Sequence, residues 1–114
     1  MSDNRIIYNT SFPFKNAVKN QSYLDRLSMG SYILKYLREA FRHEIDTDTI
    51  ITPGNSKYYG ERIVITCNEN DKKKLRDLAE KHKVCMNKVI ECILIYNFEK
   101  QNLQYKFTNR NEVK

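Results

Sequence analysis

Residues 62–67 read Arg62-Ile63-Val64-Ile65-Thr66-Cys67, and this β-branched run decides the fold. Its alternation predicts a short strand. One face of that strand carries Ile63, Ile65 and Cys67, and the other carries Arg62, Val64 and Thr66. An outward face that mixes polar and apolar side chains gives this strand a functional interest beyond its place in the core.

Two helices are predicted after the strand. Residues 68–71 offer helix caps, and residues 72–83 are good helix formers with apolar positions at helical spacing: Leu75, Leu78 and Ala79. A break at residues 84–87 precedes a second amphipathic helix, marked by Val89, Ile90, Ile93, Leu94 and Phe98. The unit is therefore strand, helix, helix.

The same pattern occurs 57 residues earlier, with low identity. Arg5-Ile6-Ile7 corresponds to Arg62-Ile63-Val64, and residues 27–30 fall on residues 84–87 without a gap. The apolar pairs of the second helix also correspond, namely Tyr32-Ile33, Tyr36-Leu37 and Ala40-Phe41 with Val89-Ile90, Ile93-Leu94 and Asn97-Phe98. A repeated unit of this size predicts that the two copies share one core.

The first copy is less regular than the second. Residues 6–12 alternate as a strand, Pro13 suits the opening of a helix, and Ser28 is a good N-cap for the second helix. The first helix contains indifferent or poor helix formers, and Leu24 does not superpose on an apolar residue of the second copy. We therefore expect a shift or an irregular turn in that helix.

These patterns divide the chain into four segments. They are a first unit at 1–45, a linker at 46–60, a second unit at 61–101 and a basic C-terminal tail at 102–114. Four apolar residues suggest that parts of the linker pack on the body: Ile50, Ile51, Tyr58 and Tyr59. The tail, in which Leu103, Tyr105 and Phe107 alternate, is an ordered extension, an added strand or disorder.

Composition favours a polyanionic partner. The chain has 114 residues, a formal net charge of +6 and a pI near 9.2, and both halves are basic. Such a surface favours nucleic acid electrostatically. No apolar run approaches the roughly 20 residues that span a bilayer, and the N-terminus lacks the features of a signal peptide. We expect no membrane association and a cytoplasmic location, in the host cytoplasm if the protein is viral.

The sequence does not favour catalysis, a cofactor or a metal. Neither His43 nor His82 has a convincing catalytic partner nearby, and there is no glycine-rich phosphate loop among the three glycines. His82, Cys85 and Cys92 match no common zinc spacing. The three cysteines are better interpreted as buried small apolar residues in a reducing compartment.

The strand-helix-helix unit resembles the ribbon-helix-helix family of DNA-binding proteins, of the Arc and MetJ type. The resemblance covers residues 61–100 well and 5–45 moderately. It implies a mostly α-helical fold with a short antiparallel β-ribbon. Two tandem ribbon-helix-helix units would form a single-chain pseudo-dimer.

The resemblance also implies which residues bind double-stranded DNA. In the family the ribbon enters the major groove, and the outward side chains contact the bases. The matching residues are Arg5, Ile7 and Asn9, with Ser11 if the first strand runs longer, and Arg62, Val64 and Thr66. The N-termini of the second helices bind phosphate, and the matching residues are Ser28, Met29, Gly30, Cys85, Met86 and Asn87. Lys72 and Lys88 are further candidates for phosphate contacts. Two unlike strands predict an asymmetric target site.

The leading hypothesis is a sequence-specific transcriptional regulator, in particular a repressor of a plasmid, virus or other mobile element. We expect control by the concentration of the protein or by its self-association along DNA, and no small-molecule effector. An alternative keeps the fold and makes the protein a DNA-binding adaptor, such as an antitoxin or a plasmid partition or relaxation accessory. A third is a small helical interaction module without DNA binding.

Overall fold

The computed structural model describes residues 4–56 and 59–101. It is mostly helical, with one two-stranded sheet. The elements in chain order are β1 (Arg5–Thr10), α1 (Phe12–Leu24), α2 (Met29–Phe41), α3 (Thr47–Ile50), β2 (Glu61–Thr66), α4 (Glu69–His82) and α5 (Met86–Lys100). No helix in the described part of the chain is long and apolar enough to cross a membrane.

The two strands form an antiparallel ribbon, and their register fixes which side chains share a face. Arg5 pairs with Thr66, Ile7 with Val64 and Asn9 with Arg62; the alternate pairs are Ile6 with Ile65, Tyr8 with Ile63 and Thr10 with Glu61. In the alternate set, Ile6, Tyr8, Thr10, Ile63 and Ile65 are buried. Because successive side chains of a strand point to opposite faces, the first set lies on the outer face. The predicted inner and outer faces are confirmed for residues 6–10 and 62–66. The strands are shorter than predicted, because β1 ends at Thr10 and β2 ends at Thr66, before Cys67.

The 57-residue repeat extends to the ends of the helices. Ser11 and Asn68 are the N-caps of α1 and α4, and Ser28 and Cys85 are the N-caps of α2 and α5. Arg26 and Lys83 both adopt the left-handed conformation, with φ of 59°. The following amides, of Leu27 and Val84, donate to the carbonyl groups of Ser22 and Ala79. Two turns of low sequence identity therefore close the first helix of each repeat in the same way.

The expected irregularity of the first helix is wrong. Helix α1 is continuous, and it buries Phe14, Val18 and Ser22. These residues fall on Asp71, Leu75 and Ala79, the buried positions of α4, with no shift. Leu24 is 70% exposed. The prediction failed because the inward face of these helices includes the polar residues Ser22 and Asp71, while the apolar Leu24 faces outward.

The two halves of the chain pack into one core rather than two. Phe14 of α1 packs against Phe98 of α5, with ring centroids 5.3 Å apart. Arg38 of α2 forms an ion pair with Asp71 of α4 at 2.7 Å. Each first helix therefore contacts the second helix of the other half, in addition to packing against the second helix of its own half. The second helices contact each other as well, and they supply most of the largest buried side chains, including Ile33, Leu37, Ile90, Ile93 and Leu94.

The linker is partly ordered on this core. It contains the short helix α3, and Ile51 is buried while Ile50 packs against the core. Ser56 donates a hydrogen bond to the buried Glu91 of α5 at 2.8 Å. Tyr59 is 72% exposed, so its expected packing is wrong. Tyr58 and the tail at 102–114 lie outside the described residues.

Candidate nucleic-acid interface

The outer face of the ribbon brings together the six residues predicted to contact bases. They form three cross-strand pairs: Arg5 with Thr66, Ile7 with Val64 and Asn9 with Arg62. Asn9 is half-buried and the other five are exposed. Directly opposed residues on one face lie about 5 Å apart, so the six side chains form one contiguous surface. Ser11 does not belong to this surface, because it caps α1 by accepting a hydrogen bond from the amide of Phe14.

The middle of this face is apolar. Ile7 is 42% exposed and Val64 is 48% exposed, whereas their neighbours Ile6 and Ile65 are almost completely buried. The flanking pairs are polar or charged at both ends. The ribbon thus presents two arginines separated by a small apolar centre.

The N-terminus of α5 lies against the edge of β1. The amide of Asn9 donates to Oδ1 of Asn87 at 2.6 Å, and Nδ2 of Asn87 donates to the carbonyl of Asn9 at 3.0 Å. Nδ2 of Asn87 also donates to Oγ of Ser56 in the linker at 2.9 Å. The Asn87 side chain therefore holds the strand edge as a neighbouring strand would, and its backbone N–H group at the start of α5 is the part suited to an anion.

The N-terminus of α2 lies against β2 through Gly30. A Cβ atom at Gly30 would be 2.5 Å from the carbonyl oxygen of Val64 and 3.2 Å from Cα of Ile65. Only a residue without a side chain permits this approach. Gly30 and Asn87 are equivalent in the repeat, and they bring their two helices to the two strands by different means.

The electrostatics of these two helix ends suit an anion. The unpaired N–H groups and the dipole at a helix N-terminus favour negative charge. No acidic residue lies in the first turn of α2 or α5, and none lies in that of α1, whereas α4 carries Glu69 and Asp71 there and is closed by a capping box. The N-termini of α2 and α5 thus carry no carboxylate of the protein that would compete with a bound anion.

The two caps at these helix ends differ. Oγ of Ser28 accepts a hydrogen bond from the amide of Ser31 at 3.1 Å, as a capping serine does. Cys85 is the N-cap of α5 without a side-chain hydrogen bond, and it is exposed. The expectation that all three cysteines are buried is therefore wrong for Cys85, because the thiol occupies a cap position at the surface, and right for Cys67 and Cys92. Met29 and Met86 are the first residues of their helices and are half-buried.

The two predicted phosphate-binding lysines lie on different helices. Lys88 is in the first turn of α5, beside Asn87, and Lys72 is in the first turn of α4, soon after β2 ends. Both are half-buried. Elsewhere, among residues 4–56 and 59–101, no group of three or more side chains that could hold a metal ion comes together.

Sequence reasoning missed two features of this region, both of which define how the helix ends meet the strands. The Asn87–Asn9 contact joins residues 78 positions apart, and no local pattern signals it. Gly30 carried a usable signal, because a glycine in the first turn of an otherwise well-formed helix points to a close approach. No protein-family model, curated protein or solved structure matches the chain.

Proposed function

We propose that the chain is a tandem ribbon-helix-helix protein, a single-chain pseudo-dimer that binds double-stranded DNA sequence-specifically and represses transcription by occupying a promoter. The observation that carries the proposal is the outer face of the ribbon. Six alternate side chains form one accessible surface, and each edge of that surface is flanked by a helix N-terminus without acidic residues.

The dimensions of the ribbon suit the major groove. Two paired strands of six residues are about 5 Å apart and about 20 Å long, and the groove is about 12 Å wide. An arginine can donate two hydrogen bonds to guanine, and an asparagine can bind adenine in the same way. Arg5, Arg62 and Asn9 therefore supply directional contacts with bases, which a merely solvated sheet face does not need.

The helix ends supply contacts with the DNA backbone in this proposal. N–H groups at a helix N-terminus bind phosphate without regard to sequence. Because α2 approaches β2 and α5 approaches β1, the two helix ends lie on opposite sides of the ribbon. A ribbon in the groove would have one phosphate clamp on each flanking strand of DNA, which fixes its register.

The pseudo-dimer is supported by side-chain contacts that join the two repeats. Phe14 packs on Phe98 and Arg38 pairs with Asp71, each contact joining one half of the chain to the other. Neither half alone pairs its strand or covers its helices. One chain thus has the elements that two identical chains would contribute to a homodimer.

The experiment that tests the function is selection of bound sequences from a random duplex library. The intact chain is compared with a double variant, Arg62→Ala with Thr66→Ala, and with Arg76→Ala as a matched control. Arg76 is exposed on α4, so its loss removes one positive charge without touching the ribbon. We expect an enriched motif with the intact chain and the control, and its loss in the double variant.

Two results would contradict the proposal. In the first, no sequence is enriched and binding is abolished by modest salt, as for phosphate attraction alone. In the second, the double variant keeps its fold and enriches the same motif as the intact chain, which would move recognition away from the ribbon.

A further inference from the structure

The centre of the ribbon contains an apolar pair that neither the core nor the charge of the protein explains. Ile7 and Val64 face each other directly and remain 42% and 48% exposed. β-branched residues are favoured in strands for their shape, but threonine satisfies that preference with a hydroxyl for water, as Thr66 does on the same face. Two apolar side chains at this one position indicate a ligand with an apolar group.

The pair also occupies a special position in the repeat. Ile7 and Val64 are equivalent residues, 57 positions apart, and they are paired with each other in the ribbon. The same relation exchanges the Arg5–Thr66 pair with the Arg62–Asn9 pair. An approximate two-fold axis therefore passes through Ile7 and Val64, with an arginine on each side of it.

A duplex has its own two-fold axes, and a protein with such an axis aligns with one of them. On that premise the apolar pair faces the central base pairs of the target. The apolar group that the major groove offers is the 5-methyl group of thymine. The other groups on base edges in that groove are hydrogen-bond donors and acceptors, which isoleucine and valine cannot satisfy.

We propose, as an extension that rests on the proposed function, that Ile7 and Val64 recognise thymine 5-methyl groups at the centre of the target. The flanking contacts come from Arg5 with Thr66 on one side and Arg62 with Asn9 on the other. Because both sides contain an arginine, the target is an imperfect palindrome. The two half-sites of the target differ where one half of the ribbon presents Asn9 and the other half presents Thr66 at the equivalent position.

The test replaces thymidine by deoxyuridine, whose base differs from thymine only in lacking the 5-methyl group. The probe is the duplex selected by the intact chain, with each thymine replaced in turn. We expect about fourfold weaker binding for each central methyl group removed, and about 15-fold for two, from the burial of one methyl-sized group each. Replacement outside the motif should leave the affinity unchanged.

Two variants assign the effect to the ribbon. Ile7→Ser with Val64→Ser should bind the thymine and uracil duplexes equally, with the thermal transition of the protein retained. The matched control is Leu24→Ser, which makes the same kind of change at a side chain that is 70% exposed on α1, and it should keep the preference for thymine.

The outcomes separate the two proposals. A selected motif bound equally with thymine and with uracil at every position would overturn the methyl recognition and leave the DNA-binding function standing. A preference for thymine that survives in the double serine variant would overturn the assignment to Ile7 and Val64. Failure to select any motif would overturn both proposals.

Discussion

Replacement of Gly30 by alanine tests how α2 is held against the ribbon. The new Cβ would lie 2.5 Å from the carbonyl oxygen of Val64 and 3.2 Å from Cα of Ile65. Both obstacles are backbone atoms of β2, so no side chain can rotate away to make room. Either the N-terminus of α2 or the strand must move.

The expected cost follows from two opposing terms. Forcing extra volume into a packed site costs about 1–3 kcal/mol, and a backbone obstacle argues for the upper part of that range. Alanine in place of glycine returns at most about 1 kcal/mol of helix propensity. We expect Gly30→Ala to lower the free energy of unfolding by about 1–2 kcal/mol, which corresponds to a fall in Tm of roughly 4–8 °C at this chain length.

Urea unfolding followed by circular dichroism measures this difference, with Ser31→Ala as the control. Ser31 is the next residue of α2 and is exposed, so its replacement should change the free energy of unfolding by no more than about 0.5 kcal/mol. If Gly30→Ala is as stable as the parent chain or more stable, then helix propensity outweighs the contact, and α2 does not approach β2 as closely as described.

Three further predictions concern the ribbon edge, the ion pair and the core. Asn87→Ala should lower the free energy of unfolding by about 1–2 kcal/mol and speed hydrogen exchange at the amide of Asn9, which donates to Asn87. The control Asn9→Ala keeps that backbone hydrogen bond, so it should leave the exchange rate of this amide nearly unchanged. Equal exchange rates in the two variants would contradict the contact. The Arg38 guanidinium holds the pKa of the Asp71 carboxyl below its usual value, so this pair should stabilise the fold above about pH 4 and lose its effect as the pH falls through the lowered pKa. Asp71→Ala should therefore lower the free energy of unfolding by about 2 kcal/mol at pH 7, a value discounted because Arg38 is nearly half exposed. Denaturant titrations should find a smaller loss of stability in strong acid. A loss of stability that is independent of pH would contradict the ion pair. Ile90 is fully buried, so Ile90→Ser should lower the free energy of unfolding by about 3 kcal/mol or more and unfold the chain before it changes DNA specificity. A folded variant with altered specificity in a binding selection would refute the assignment of Ile90 to the core.

The regular part of the fold was predictable because it depends on periodicity. The alternation in residues 62–67 gave the strand and its two faces, and the apolar spacing in residues 89–98 gave the buried face of α5. The same positions in the first half followed from the repeat. The cap at Ser28 followed from residue type alone.

The rest depended on contacts between distant parts of the chain. Helix α1 was misjudged because its inward face includes Ser22, just as α4 turns Asp71 inward to meet Arg38. A polar residue facing the core breaks the apolar pattern on which periodicity depends. Asn87 was predicted as a residue near phosphate, while its contact with Asn9 required knowledge of how the two halves interlock.

The candidate site divides along the same line. Alternation was enough to assign the outward residues of both strands, because a strand has only two faces. Register was not available from the sequence, and it is register that makes Ile7 and Val64 neighbours at the approximate two-fold axis. The apolar centre of the outer face is therefore recognised only when the two strands are paired.

The central claim is that the outer face of the ribbon is the DNA-binding surface. The most direct measurement is a titration of isotope-labelled protein with its selected duplex, followed by amide chemical-shift changes in NMR spectra. The account predicts that the largest changes fall in residues 5–9 and 62–66 and in the first turns of α2 and α5. Changes concentrated instead around Tyr23 and Leu24, which are exposed at the end of α1, or along the solvent face of α4, would contradict it.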